Sequence, residues 1–530
     1  MFRLTTLGSM GFVLLLGVVV YVFFGFDALP FMDLPAHAGL IALRHRYSGS
    51  PFDQSYFLVV PHVGPYSAFR SLGGMLAAIG GPIAAVRGLA LLPAIGTPLA
   101  VSWARWRLHG EWRPGLGAMA VALSFGLMTA FGFAGYLLGV TTSIVGLTLW
   151  LELVGAHEAT ARQTSIGMGG AARRRVTIAG AFLAVFAPVV FLCHGHAFLL
   201  LLTVSCASLA APPWRARRFL MLSVYAPAIS LAAYSTYCER AASSSLTSLV
   251  SCTNSGMHFQ SLGDKLSLLL TPTLITRVGP DVLVGLAIWA ALTVASARSV
   301  KRTWTGLTIA DFQSRALTLG VVILGIAFAI LPHTIGWFGF VDGRLVLPLL
   351  LFALVGIRTE ALGSRLTRIL GYVGAATGCV QIGIVLIASS YFQREASGYK
   401  EVLERIPART RLLDLPIEPN SRVFGGHPFV HYGMLALVDK PILASDIWYH
   451  QGTAVFPRAG NPAFRLPSGY CESDMRSVDW ASFRLEDWDY VLIRQNPSAA
   501  TPLVPATMTL VSHRGGWWLW RITADSSSDT

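Results

Sequence analysis

Charge is what this chain has least of. Only 13% of its 530 residues are charged, against 54% hydrophobic, and the mean hydropathy is +0.58. A water-soluble chain of this length carries about twice that charged fraction, so a soluble globular enzyme is excluded and a polytopic membrane protein is expected. Acid is the second shortage: 27 Asp and Glu stand against 40 Lys and Arg, a formal net charge of +13. No stretch resembles a nucleic-acid-binding module, and the basic excess falls in loops between apolar runs. That is the positive-inside pattern, and no nucleic-acid partner is expected. Cysteine is scarce too. Six residues without a C-x-x-C pair make neither a disulfide scaffold nor a structural zinc site. Cys193, Cys206 and Cys379 lie in or beside apolar runs, while Cys238 and Cys252 bracket a loop where a disulfide has room to form. No small-residue cleavage site follows the first apolar run, which continues into Asp27-Ala28-Leu29-Pro30, so residues 10–26 are expected as a retained span.

What is there is a series of apolar runs. Spans are expected at residues 10–26, 88–103, 116–138, 140–154, 177–192, 197–211, 219–237, 282–297, 316–331, 345–356 and 369–391. Eleven spans with the N-terminus in the cytoplasm put the loops holding Arg107, Arg174, Arg217, Arg302 and Arg365 on one side and leave the C-terminus outside. Residues 56–82 are apolar but cut by glycine and proline, which suits short helices lying at the interface. Residues 266–275 are too few to cross and read as re-entrant or interfacial. From residue 393 charged residues, proline and aromatics replace the long apolar runs, and short alternating runs at 421–424, 490–493 and 517–522 read as strands. A transmembrane domain of residues 1–392 is therefore expected to carry an extracytoplasmic α/β domain of residues 393–530, frayed over 525–530.

The chemistry starts at Phe31-Met32-Asp33-Leu34-Pro35-Ala36-His37, just past the first run. Asp33 and His37 share one face of a helix, and Pro35 suits its first turn. Asp33 has a bland reading as the N-cap, accepting backbone N–H groups. His62 and Arg70 follow, then His194 and His196, then His333, Asp342 and Arg344, all in or beside segments placed outside. Ionisable residues drawn from separate loops to one face of a bilayer point to a site. A carboxylate there takes a proton from a hydroxyl, and a fixed cation holds a leaving phosphate. Arg344 suits the second task, because arginine grips phosphate bidentately and keeps its charge when half-buried. Its bland reading is a side chain snorkelling to the head groups, and Asp342-Gly343 is a good turn signal. His194 and His196, two apart, do not share a helix face, which argues against a joint metal site.

The layout resembles the GT-C superfamily of membrane glycosyltransferases. Asp33 matches the acid of their first external loop. Residues 56–87, with Gly80-Gly81-Pro82 before Ala85-Val86-Arg87-Gly88, resemble the juxtamembrane segment of the aminoarabinose-transferase and protein-mannosyltransferase branch. Arg344-Leu345-Val346-Leu347-Pro348 resembles the Arg…Pro signature opening a late span, and Asp489-Tyr490-Val491-Leu492-Ile493 a strand of bacterial tail domains. The resemblance implies a mostly α transmembrane bundle with an extracytoplasmic tail, set in a bacterial inner (plasma) membrane. It implies a polyprenyl-phosphate-linked sugar donor, a lipid, glycan or protein acceptor, and inverting transfer on the outer face among membrane lipids. Asp33 and His37 would be catalytic, with His62, Arg70, His194, His196, Asp342 and Arg344 binding substrate or its phosphate. Two departures stand out. Asp33 is followed by Leu34 where many members pair two acids, and the turn Gly139-Val140-Thr141-Thr142-Ser143 lacks the second acid many carry. Asp53 or Asp342 is left to supply it, and a divalent metal ion, magnesium or manganese, stays open as a cofactor. Two other classes of function fit: a transporter or flippase for a lipid-linked saccharide, and an inactive relative whose tail binds glycan or a partner. The first is expected to show internal repeats and mid-membrane charges; no repeat is evident, and Glu152 is the exceptional charge.

Overall fold

The computed structural model describes residues 2–60, 63–163, 170–211, 216–243, 256–277, 279–306, 308–336, 338–445, 454–458, 460–467, 470 and 478–523. The helices are α1 Phe2–Phe24, α2 Leu34–Arg46, α3 Pro51–Tyr56, α4 Ser67–His109, α5 Pro114–Ser124, α6 Leu127–Ala130, α7 Ala134–Gln163 and α8 Gly170–Cys193. They continue with α9 Gly195–Leu209, α10 Ala226–Ser243, α11 Leu262–Leu270, α12 Pro280–Thr303, α13 Ile309–Ile330, α14 Val346–Gly356, α15 Gly363–Glu395 and α16 Tyr399–Glu404. The strands are β1 Phe57–Val59, β2 Met257–His258, β3 Thr334–Ile335, β4 Arg411–Leu415, β5 Leu443–Ala444, β6 Val455–Pro457, β7 Tyr490–Arg494, β8 Met508–Arg514 and β9 Trp517–Ile522.

Among the described residues seven segments are long and apolar enough to cross a bilayer: Thr6–Phe24, Ser67–His109, Ala134–Glu158, Phe219–Cys238, Pro280–Thr303, Ile309–Ile330 and Gly363–Glu395. Pro114–Ser124, Thr177–Cys193, Gly195–Leu209 and Gly343–Gly356 are apolar but shorter. All but one of the expected spans fall on one of these segments, yet helix length alone supports seven crossings rather than eleven. The span expected over 116–138 is corrected: it is divided among α5, α6 and the start of α7. A Cβ at Gly126 would lie 2.0 Å from the carbonyl oxygen of Pro272, so backbone approach rather than hydropathy ends α5. Gln381 of α15 donates to the freed carbonyl of Phe125 at 2.7 Å and to that of Thr273 at 2.9 Å, which satisfies groups a broken helix leaves bare. Residues 67–80 form the first arm of α4, which bends at Gly81 (φ 80, ψ 170) and continues to His109. Glycine takes that backbone conformation without a Cβ penalty.

The tail carries a five-stranded sheet in the order β5-β4-β7-β9-β8. Its first three strands are parallel, and β9 and β8 run antiparallel. The strands expected at 490–493 and 517–522 are β7 and β9. Residues 421–424 are not a strand. The Ser421 hydroxyl donates to Glu395 at 2.6 Å and accepts the N–H groups of Val423 and Phe424 at 3.0 and 3.1 Å, a side-chain-held turn that leaves the segment one isolated antiparallel bridge, Phe424 with Thr276. Residues 525–530 lie outside the described residues. So does Cys252, while Cys238 carries a free thiol, against the disulfide the sequence allowed.

One buried cluster holds Phe23, Phe31 and Leu40 together with Phe392, Tyr432, Trp517 and Leu519. The helices and the tail thus share a core rather than a linker. Ring centres lie 4.9 Å apart for Phe392 and Phe429 and 5.5 Å apart for Tyr432 and Trp517. Each fully buried ring of this kind stabilises the docking by on the order of 2 kcal/mol relative to exposure. The β1–β6 ladder adds a backbone tie between the first loop and the tail.

Candidate functional site

The segment before α2 is held by backbone bonds. The N–H groups of Met32 and Asp33 donate to the carbonyls of Ala130 and Phe131 at 3.0 and 3.2 Å. The approach is close enough that a Cβ on Gly132 (φ +75) would lie 2.8 Å from the nitrogen of Asp33. Asp33 is the N-cap of α2, with Pro35 in the first turn as expected, but its carboxylate makes no capping bond. The bland reading therefore fails: the acid is not spent on its helix. It is 2% exposed, and its Oδ1 lies 3.8 Å from Nε2 of His431, itself 1% exposed.

Three further groups meet on the same side. Tyr66 precedes α4 with φ 69 and ψ −2, a left-handed conformation that costs a tyrosine strain. Its Oη is 2.9 Å from Nε2 of His194, between α8 and α9. His194 Nδ1 accepts the N–H of His196 at 3.2 Å, so in the neutral ring Nε2 carries the proton and donates to Tyr66. Burial pushes the Tyr66 hydroxyl above its ordinary pKa, with the positive charge of Arg344 opposing and the negative charge of Asp33 adding. Burial also drives His194 well below the usual histidine value, helped by the charges of Arg344 and His196. The same acid and the same arginine therefore act on one hydroxyl, and the histidine beside it stays neutral.

Arg344 sits in the single 3-10 turn Gly343–Leu345 before α14 and is 6% exposed. Its guanidinium lies 3.9 Å from the ring centre of Phe338, 4.7 Å from Phe133 and 5.8 Å from Tyr136. The Tyr136 hydroxyl donates to the Arg344 carbonyl. Nε and Nη1 of Arg344 are buried and have no hydrogen-bond partner among the described residues. Aromatic faces favour a cation without consuming its N–H donors, so those donors stay available to an anion. That geometry does not fit a side chain snorkelling to the surface.

The other expected site residues are placed as follows. His196 joins the cluster, with its ring 6.0 Å from Tyr136 and 6.2 Å from Phe338. His37 is one turn along α2 with its ring 4.9 Å from Phe69. Arg70 is buried and donates to the Ser67 hydroxyl at 2.8 Å. Asp342 is fully buried, 2.8 Å from His333 Nδ1 and 3.3 Å from Lys265 Nζ. Asp53 pairs with Arg46 at 2.7 Å. His62 lies outside the described residues. Both offered sources of a second carboxylate are thus engaged with cations. Among the described residues no three His, Cys, Asp or Glu side chains come together as a metal site. The donors around Asp33 are an arginine and histidines beside that arginine's charge, a set that does not fit a divalent ion.

Sequence reasoning missed His431, Tyr66, Tyr136, Phe133 and Phe338. The run His427-Pro428-Phe429-Val430-His431 was a legible signal, two histidines inside an otherwise apolar stretch. The aromatic residues carried none, because a ring beside a guanidinium looks like any other core ring until the fold is known.

No protein-family model and no curated protein sequence matches the chain. Among solved structures it is similar to the crystal structure of ArnT from Cupriavidus metallidurans in the apo state, with a TM-score of 0.53 at 12% identity over 96% of this chain and 97% of that one. It is less similar to the arabinofuranosyltransferase AftD from Mycobacteria, with a TM-score of 0.47 at 14% identity over 97% of this chain and 40% of that one. The oligosaccharyltransferase of Archaeoglobus fulgidus, in complex with zinc and sulfate, gives a TM-score of 0.41 at 12% identity over 91% of this chain and 68% of that one.

Proposed function

We propose that this chain, whose fold is that of the GT-C membrane glycosyltransferases, transfers a sugar from a polyprenyl-phosphate-linked donor to a lipid, glycan or protein hydroxyl. Residues 1–392 are the membrane domain and 393–530 an extracytoplasmic domain, with the N-terminus in the cytoplasm of a bacterial cell and the reaction on the outer face of its inner membrane. The observation that carries the reading is geometric: Asp33 is buried yet makes no capping bond to its own helix, and Arg344, buried among aromatic rings, keeps its Nε and Nη1 donors open among the described residues.

In this reading the Asp33 carboxylate takes the proton of the acceptor hydroxyl as its oxygen attacks the anomeric carbon. The bond from that carbon to the phosphate oxygen breaks on the opposite face, which inverts the centre. Negative charge builds on the leaving phosphate, where the open Nε and Nη1 donors of Arg344 receive it. Neutral His194 orients Tyr66, His196 borders the phosphate side beside the rings around Arg344, and Arg70, on the Ser67 hydroxyl, braces the start of α4. His37 steadies the helix of the acid through Phe69. Asp342, tied to Lys265 and His333, fixes the turn that carries Arg344.

The test is Asp33→Asn at matched membrane levels, assayed with synthetic farnesyl-phosphoryl pentoses and hexoses. Transfer falls roughly 100- to 10,000-fold if the carboxylate is the base. Undiminished transfer would refute that role. Binding of those donors without transfer in the unaltered chain would instead favour a non-enzymatic scaffold or flippase.

A further inference from the structure

Asp33 is enclosed from the tail side. The Tyr432 hydroxyl donates to the carbonyl of Leu29 at 3.1 Å, just before the acid. Met434 closes on the chain just after it, so near that a Cβ on Gly39 would lie 2.7 Å from the Met434 carbonyl oxygen. His431 stands at the start of the same turn, Tyr432–Leu437, and its N–H-bearing ring reaches Asp33 at 3.8 Å. The segment is thus pinned on both flanks of the acid, and what it delivers between the pins is an imidazole. An apolar side chain would fill that space at lower cost, since a buried polar group is expensive unless it interacts.

We propose that His431 is a positioning residue for Asp33: the tail domain carries it into the site, where it fixes the carboxylate and keeps it ionised until the acceptor's proton arrives. The inference rests on Asp33 acting as the base. His431 of the tail lies 3.8 Å from the carboxylate, Arg344 from the turn before α14 and Tyr66 from the start of α4 are near enough to feel its charge, and His37 follows on its own helix with its ring against Phe69. His431 differs from the other three in belonging to the tail.

The experiment uses the full chain in native membranes and dicyclohexylcarbodiimide, which modifies protonated carboxyl groups in apolar surroundings. The adduct on the peptide containing Asp33 is quantified by mass spectrometry across a pH series. His431→Gln is expected to raise the labelling midpoint by about 1 pH unit, as loss of a group that favours the charged carboxylate does. His431→Lys, which places a cation there, brings the midpoint back. Tyr432→Phe removes a docking bond without changing charge and leaves it unmoved. An unshifted midpoint in His431→Gln, or an equal shift in Tyr432→Phe, overturns the inference. Transfer from farnesyl-phosphoryl sugars by Asp33→Asn is measured in parallel. No midpoint shift beside an inactive Asp33→Asn chain overturns this proposal alone. Retained transfer in that variant overturns the base role and, with it, the role of His431.

Discussion

The hydroxyl of Tyr66 and Nε2 of His194 are 2.9 Å apart although 128 residues of chain separate them. A neutral hydrogen bond of this kind contributes about 1 kcal/mol. Tyr66→Phe leaves the Nε2 proton without its acceptor, so kcat/KM for transfer is expected to fall about fivefold. A change below the assay error would detach Tyr66 from the reaction.

The Arg344 guanidinium packs against aromatic rings. Phe338→Leu keeps the charge and removes the closest face, at 3.9 Å. The expected loss in kcat/KM is roughly tenfold, matching about 1–2 kcal/mol for a desolvated cation–π contact. Arg344→Lys keeps a positive charge but loses the planar donors, and a drop of roughly 100-fold is expected. Equal activity in both variants would contradict phosphate recognition by the guanidinium.

Gly132 touches the acid through the backbone. Its φ of +75 alone makes alanine cost about 1–2 kcal/mol. The added methyl also presses on the nitrogen of Asp33, 2.8 Å away. Gly132→Ala is therefore expected to lower transfer by more than its drop in melting temperature in detergent accounts for. A variant that loses stability and activity in proportion would show that the contact matters only to the fold.

His194 gives a pH dependence with a definite sign. Its pKa is depressed in the folded chain by burial first, then by Arg344 and His196. Below the ordinary histidine value of about 6.5 the unfolded chain binds a proton that the folded chain resists. Stability is thus lost as pH falls from about 7.5 to 5.5, by up to about 1.4 kcal/mol per pH unit for this one group. His194→Gln is expected to narrow the difference between melting temperatures at the two pH values. An unchanged difference would mean that the ring is already charged in the fold.

Much of the architecture was legible because it rests on local sums. Apolar runs located most of the helices, and the short alternating runs at 490–493 and 517–522 are β7 and β9 of the tail sheet. The same sums misjudged residues 116–138. Two backbones meet at Gly126, and hydropathy carries no record of a carbonyl arriving from Pro272. In the site, Asp33 and Arg344 were legible as costly ions at the ends of apolar runs. Asp342 was legible too, but its engagement with Lys265 and His333 was not.

The sequence by itself determined that this chain belongs in a bilayer and where its rare charges lie along the helices, because the cost of burying charge in hydrocarbon is set residue by residue. Only the tertiary structure decided which of those charges come near one another. Tyr432 reaches Leu29 across 403 positions and brings His431 to the acid. That approach depends on how aromatic rings pack between the helices and the tail, and no stretch of chain read alone contains it.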